Sequence, residues 1–273
     1  MTVAVNTMVE VLRFEPETFR AAAAMQALMR TSDGIEARKT HQYEGGSDLL
    51  MLWGPGAPNR WPVMRKQIAA GGHVICCDLA YWSRHDKIRV SIDAAHPQAW
   101  VMKQDWPARR LVADGVYVSD KWKANGPIIV AGLGRKARAQ YGDQVLDWEL
   151  GMIRACETRW PDRRVLYRRK QFDAPIPPGV ALSGMGPIDD ILSGASLVIT
   201  WHSNVAVDAI RLGIPAVCRD GAAAAVCPSE LPVEPQPLPV EVRDRFLQNL
   251  AWFQWNPALE SKAMWTWLQE LLG

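Results

Sequence analysis

The 273-residue sequence carries almost no excess of either charge: 31 Lys and Arg face 29 Asp and Glu, a formal net charge of +2. So close to neutrality, charge alone implies no polyanionic partner, and any basic surface has to come from local clustering. Long apolar runs are missing as well. The longest are roughly 8–10 residues, well short of the roughly 20 that cross a bilayer, so no membrane partner is expected. The opening Met1-Thr-Val-Ala-Val-Asn6 has no basic region and no cleavage site, and reads as a first strand rather than a leader. No C-x-x-C pair joins Cys76, Cys77, Cys156, Cys218 and Cys227, and their number is odd. That excludes a disulfide framework or a zinc site and points to reduced, mostly buried thiols in a cytoplasmic protein. H-E-x-x-H and clustered His/Cys sets are absent, so no metal is expected. A G-x-S-x-G elbow is absent too, which argues against an α/β-hydrolase.

What is present is an ordinary globular balance, 48% hydrophobic and 22% charged. Short apolar runs alternate with helical stretches, the mark of an α/β protein with a parallel sheet. In the first half the expected strands are Val3–Val5, Gly34–Thr40, Asp48–Trp53, His73–Cys77 and Lys87–Ile92. Helices are expected over Glu17–Met29 and Arg60–Ala70, the second closed by Gly71-Gly72. From Asn125 a second series begins, with strands at Ile128–Ala131, Arg164–Arg168, Val180–Leu182, Ser196–Thr200 and Ile214–Cys218. Its helices are Gln144–Arg159, Ile188–Leu192 and Asn204–Leu212. Pro228, Pro232, Pro235, Pro237 and Pro239 make an extended connector before helices at Val240–Leu250 and Glu260–Leu272. Two small doubly wound, Rossmann-like domains fit: residues 1–124, residues 125–240, and terminal helices over 241–273 crossing back to the first.

The most informative segment is Leu197–Val217, in which a strand ends at Thr200 and a helix opens near Ser203 or Asn204. Ligands of parallel sheets bind beyond the carboxyl ends of strands, where a helix N-terminus offers unbonded N–H groups to a phosphate. Ser203 and Asn204 are natural caps whose side chains also donate to phosphate oxygens. Asp208 lies one turn on, on the same face as Asn204, placed to accept from sugar hydroxyls. A plain capped strand–helix unit fits the same letters.

Thr200-Trp-His-Ser-Asn-Val-Ala-Val-Asp-Ala-Ile-Arg-Leu-Gly-Ile-Pro-Ala-Val217 resembles the C-terminal-domain signature of GT-B glycosyltransferases, and within them the capsule-polysaccharide type. The resemblance implies two Rossmann-like domains facing a cleft and a nucleotide-diphosphate sugar as co-substrate, with no further cofactor. It places the donor diphosphate at Thr200, His202, Ser203 and Asn204, and the nucleotide ribose at Asp208. Gly132-Leu-Gly134-Arg-Lys136 follows the first strand of the second series, where that fold keeps a glycine loop and a basic residue. Its glycines admit close backbone approach, and Arg135 and Lys136 can neutralise a pyrophosphate. It is not a dinucleotide fingerprint, because Ala137 replaces the third glycine. Gly186, Pro187 and Ile188 fall where the fold lines its base pocket.

Sugar transfer needs a base for the acceptor hydroxyl. Asp78 and His85, just past the fourth expected strand, are the candidates, although an Asp there is also an ordinary helix cap. Tyr81 and Trp82 can stack on an acceptor, with Arg84 beside them, or be buried in an interface. Arg163-Arg164 and Arg168-Arg169-Lys170 form the densest basic cluster, a solvated face or a contact for a phosphate backbone. A hydroxymethylated DNA base is therefore one acceptor the sequence admits, as for some phage enzymes of this fold, and Tyr81-Trp-Ser-Arg84 is similar to a segment of phage proteins. Base flipping would then be required, in the host cytoplasm. A glycan or a small molecule is admitted equally. No D-x-D pair occurs, which disfavours the metal-dependent transfer of the other common glycosyltransferase fold. A non-catalytic nucleotide-sugar binder and a nucleotide-sugar epimerase of the same fold are the rival readings. Trp252 and Trp255, spaced i, i+3, are expected on one helix face as packing.

Overall fold

A computed structural model describes residues 7–12, 19–29, 35–40, 42–43, 45–55, 59–142, 144–170 and 176–272. In chain order the elements are β1 (Thr7–Leu12), α1 (Phe19–Met29), β2 (Ile35–Thr40), β3 (Leu49–Trp53), α2 (Trp61–Ala69), β4 (His73–Leu79) and β5 (Ile88–Ile92). There follow α3 (Arg109–Ala113), β6 (Ile128–Ala131), α4 (Arg135–Tyr141), α5 (Gln144–Arg159), β7 (Val165–Arg168), β8 (Ala181–Leu182) and α6 (Ile188–Leu192). The chain closes with β9 (Leu197–Thr200), α7 (Val205–Arg211), β10 (Ala216–Cys218), α8 (Val240–Ala251), β11 (Gln254–Trp255) and α9 (Ser261–Leu272). The strand expected at Val3–Val5 lies outside the described residues, and the first described strand is Thr7–Leu12.

The chain divides into two compact α/β units, Met1–Pro97 with Trp252–Gly273, and Gln98–Ala251. The first is built on a six-stranded sheet in the order β11-β5-β4-β3-β1-β2. Strands β1 to β4 are parallel, but β5 runs antiparallel to β4 and β11 antiparallel to β5, so this sheet is mixed rather than wholly parallel. The short β4–β5 connection explains the reversal, since a parallel return needs a crossover of a dozen residues or more. Helix α2 opens with a proline in its first turn and stops before Gly71, whose φ of +85 suits the left-handed position after a helix. Trp255 lies on β11 and not on a helix, so the i, i+3 face expected for Trp252 and Trp255 does not form. The Trp255 and Trp267 rings are 5.4 Å apart, Trp267 meets Phe253 edge-on at 5.2 Å, and Trp265 Nε1 donates to the Leu28 carbonyl at 2.9 Å.

The second unit holds a five-stranded, wholly parallel sheet in the order β10-β9-β6-β7-β8. Strands β6 and β9 are buried at every position, as continuous apolar runs covered on both faces have to be. Ile128, Val130, Leu197, Ile199 and Val217 form the core on one face with Ile153, Cys156 and Tyr167.

Residues 98–124, read from sequence as part of the N-terminal domain, belong to this second unit, and so does α8. The reason is a set of hydrogen bonds that apolar patterning does not reveal. Fully buried Asn249 on α8 donates to the carbonyls of Val101 and Gln104 at 2.8 and 2.7 Å and accepts from the Trp106 N–H at 3.1 Å. The Ser119 and Lys121 N–H groups donate to the carbonyls of Arg211 and Leu212. One member of the basic cluster is likewise spent on structure: Arg163 pairs with Glu234 at 2.9 Å, and nearby Arg159 donates to the carbonyls of Leu231 and Pro232, pinning the proline-rich connector. Among the described residues no helix is long and apolar enough to cross a membrane.

Two outcomes follow for stability. Asn249→Ala removes three hydrogen bonds and leaves the buried Val101 carbonyl unpaired, while the Gln104 carbonyl keeps Arg245. It should cost about 1–3 kcal/mol, read as a lowered urea midpoint, and an unchanged midpoint would show that water replaces the side chain. All five thiols are buried, and burial pushes Cys77, Cys156 and Cys218 from 9.0 up to about 12. In the unfolded chain these thiols ionise first, so their contribution is intact below the ordinary thiol value and lost as pH climbs from there toward 12. Ellman's reagent should find no native thiol at pH 8 and five in denaturant.

Candidate functional site in the second unit

From β6 the chain runs outward through β7 to β8, then returns to the other side of β6 for β9 and β10. The order therefore reverses between β6 and β9, and the carboxyl ends of those two strands form the topological switch point at which open parallel sheets bind ligands. Gly132-Leu133-Gly134 follows β6 and Trp201-His202-Ser203-Asn204 follows β9, so both expected donor loops lie at that point.

The glycine loop is held from beneath. Glu149, on α5, is completely buried. One of its oxygens accepts the Leu133 N–H at 2.9 Å; the other accepts the Tyr167 hydroxyl at 2.8 Å and Arg138 at 2.7 Å. Arg138 also donates to the Leu133 carbonyl at 3.1 Å and to the Tyr167 oxygen at 3.0 Å. Both backbone groups of Leu133 are thus fixed by one buried ion pair. Burial, with the Glu149 charge, drives the Tyr167 hydroxyl well above its ordinary 10.0, so it stays a proton donor. Gly132 has to be glycine: a Cβ there would stand 1.9 Å from the Tyr167 oxygen. Sequence reasoning missed Glu149, Arg138 and Tyr167. One signal was legible: Glu149 sits at helical spacing between Val145 and Ile153, an acid inside the buried stripe of α5.

The second loop is built differently from its expectation in one respect. Thr200, placed by resemblance among the donor contacts, is fully buried and joins the two strand tips instead. Its hydroxyl donates to the Ala131 carbonyl at 3.2 Å and accepts the Ser203 N–H at 3.3 Å. Ser203 Oγ accepts the Val205 N–H at 3.4 Å, while its own proton has no acceptor among the described residues. Asn204 makes no side-chain cap bond, and neither its carboxamide nor its N–H has a partner among the described residues. Half-buried His202 packs against Tyr141, ring centroids 5.9 Å apart. Trp201 is buried between Tyr141, Trp148 and the Arg219 guanidinium.

Asp208, one turn into α7, is mostly buried and lies 3.5 Å from Arg211, which binds Asp189 of α6 more closely. Burial pulls the Arg211 pKa down, but the hydrogen bond to Asp189 and the charges of Asp208 and Asp189 outweigh it and the net shift is upward. Gly186 and Pro187 are exposed and Ile188 half-buried, in the loop between β8 and α6. Arg135 is exposed on the first turn of α4, and the Lys136 side chain lies outside the described residues.

In the first unit Asp78 lies near the end of β4. Its carboxylate accepts the Leu79 N–H at 2.7 Å and Arg89 at 3.1 Å. His85 is exposed on the turn between β4 and β5. Tyr81 corrects its expectation. It is 4% exposed, its hydroxyl is 2.9 Å from His96 Nδ1 and Arg89 lies over its ring at 5.6 Å, so it cannot stack on an acceptor. Trp82 is half-buried, with its N–H, like that of Tyr81, bonded to Gln254. Arg84 is exposed and donates to the Tyr81 carbonyl at 3.4 Å. Among the described residues no group of His, Cys, Asp and Glu could hold a metal ion.

No family model matches this sequence, and no curated protein matches it. Solved structures do. The chain is similar to Thermosulfurimonas dismutans KpsC, β-Kdo 2,7-transferase, at a TM-score of 0.55 and 12% identity, covering 91% of this chain and 92% of that one. It is also similar to the β-Kdo 2,4-transferase of the same organism's KpsC, with TM-score 0.49, 11% identity and coverage of 88% and 89%. Neisseria meningitidis UDP-GlcNAc 2-epimerase bound to UDP-GlcNAc gives 0.34, 10% identity, 97% and 99%. The first of these likenesses shows the fold: α/β, with two Rossmann-like units of the GT-B type.

Gly132→Ala should drive the new methyl into the pinned Tyr167 hydroxyl and cost about 1–3 kcal/mol, as overpacking does. Gly151→Ala is the control, since nothing lies within 4 Å of a Cβ there. Removing a helix-interior glycine should raise the melting temperature by the equivalent of roughly 0.5–1 kcal/mol. Equal effects at the two sites would count against the clamp.

Proposed function

We propose that this protein is a GT-B glycosyltransferase that moves a sugar from a nucleotide-diphosphate donor to an acceptor hydroxyl. The observation that carries the reading is the set of unspent donors at the switch point. The Ser203 hydroxyl proton and the Asn204 N–H and carboxamide lack partners among the described residues, and they stand across the β6–β9 tips from a rigidly held glycine loop. Donors fixed where charge develops on a departing diphosphate stabilise the transition state without reorganising. Ser203, Asn204, Gly132, Gly134, Arg135 and Lys136 would bind the diphosphate, with His202 beside them. Asp208 would accept from the ribose, and Gly186, Pro187 and Ile188 would border the base. The similar KpsC chain is a β-Kdo transferase, which supports sugar transfer on this fold.

Asp78 or His85 would take the proton of the acceptor hydroxyl. Exposed Arg84 and half-buried Trp82 are the remaining acceptor contacts, because Tyr81 is occupied in the core. The case for a DNA base as acceptor leaned on the Tyr81–Trp82 pair and the basic cluster. With Tyr81 buried and Arg163 holding Glu234, the acceptor class supported here is a hydroxyl compound without further specification.

The test is a thermal-shift and calorimetric panel of UDP, GDP, dTDP, CMP and their sugars. At least one should bind, and Ser203→Ala with Asn204→Ala should weaken it at least tenfold. Labelled sugar should then appear on an added acceptor; labelled free sugar or epimer formed without any acceptor would favour an epimerase. Asp78→Asn is expected to abolish transfer and leave nucleotide affinity unchanged. Binding with no turnover under any condition would leave only a nucleotide-sugar binder.

A further inference from the structure

We infer that Arg168, at the carboxyl end of β7, is the side chain that grips the diphosphate of the bound nucleotide. The inference rests on the donor-site reading above and adds to it a residue which the resemblance does not supply.

Position comes first. Arg168 pairs in register with Ala131, the last residue of β6, and its carbonyl accepts the Gly132 N–H at 3.0 Å. It therefore stands one strand spacing, about 4.8 Å, from the glycine loop. Tyr167 points to the face that carries Glu149 and Arg138, so strand alternation sends Arg168 to the opposite face. That is the α7 face, where the charge of Asp208 acts on it.

Chemistry comes second. Arg138, Arg163 and Arg211 each have a carboxylate within hydrogen-bond distance. Arg168 has none among the described residues, and its Nε is sealed from solvent with no hydrogen-bond partner. Burial lowers its pKa, and the more distant Asp208 only partly offsets that. A half-buried guanidinium is an expensive thing to leave unpaired, and native structures seldom do so without a use. The missing partner has to be anionic, planar-fork compatible and located at the switch point, which describes a phosphate oxygen pair.

The test uses the full chain and the variants Arg168→Met and Arg168→Lys. Each is titrated with UDP, GDP, dTDP, CMP, inorganic pyrophosphate and the matching free nucleosides, and melted without ligand. For the nucleotide that wild type binds, Arg168→Met should lose at least 30-fold in affinity and Arg168→Lys should recover part of it. Affinity for the nucleoside alone should not change. Pyrophosphate should compete with the nucleotide in wild type and no longer do so in Arg168→Met. The unliganded melting temperature should stay level or rise, since the substitution removes an unrepaid burial. A nucleotide affinity within threefold of wild type in Arg168→Met would overturn the assignment while leaving the donor site standing. A fall in melting temperature with equal losses for nucleoside and nucleotide would show a structural arginine instead. If wild type binds none of the nucleotides, the donor site and this inference fall together.

Discussion

The buried Glu149 carboxylate is the constraint on which the second unit's glycine loop depends. A charge with no solvent contact survives in a protein interior only when hydrogen bonds and an opposite charge repay its desolvation, and removing one partner typically costs about 3–5 kcal/mol. Glu149 is repaid by Arg138, by the Tyr167 hydroxyl and by the Leu133 N–H. Those three partners come from α4, β7 and the loop after β6. A single side chain of α5 therefore fixes the mutual placement of a helix, a strand and the glycine loop. The loop's shape is thereby set by the protein itself, with the Gly132 and Leu133 N–H groups spent on the Arg168 carbonyl and the Glu149 carboxylate.

Thr200 does for the neighbouring strand what Glu149 does for the loop. Its hydroxyl bridges the Ala131 carbonyl and the Ser203 N–H, tying the tips of β6 and β9 together across the reversal of strand order. The resemblance placed Thr200 in contact with the donor; the structure gives it the task of holding Ala131 and Ser203 together. This separation recurs through the site. Buried Glu149 and Thr200 have their hydrogen bonds made within the protein, while half-buried Ser203 and Asn204 keep donors without partners among the described residues.

Much of this was legible in the letters. Periodicity placed α5, β6 and β9 within a residue or two, because α5 is long and the two strands are short apolar runs between breakers; the proline before it and the glycine after it placed α6. The alternation of strands and helices gave the α/β class but not the strand order that makes the switch point. What stayed hidden was of another kind. Asn249 reads as an ordinary polar residue in α8, yet its three bonds decide that residues 98–124 pack with the second unit. Tyr81 looks like a ring for stacking until Arg89 and His96 are found around it. Side-chain hydrogen bonds over more than a hundred positions leave no trace in a local pattern. The antiparallel turn of β5 was lost for a related reason, since a fully buried strand reads the same in either direction.

The arginines show how function can be separated from scaffold by accounting for charge. Arg163 and Arg168 read, in sequence, as members of one basic cluster, and composition offers no way to rank them. In the structure Arg163 is spent on the connector through the Glu234 carboxylate, beside Arg159, which donates to the carbonyls of Leu231 and Pro232. Arg211 is spent on joining α6 to α7 through Asp189. Arg168 alone of this group is half-buried with no carboxylate within hydrogen-bond distance among the described residues, at a strand end beside the glycine loop. Stability selects for the pairs; it gives no reason to keep the unpaired one. Arg168 is the member of the group whose desolvation no ion pair among the described residues repays.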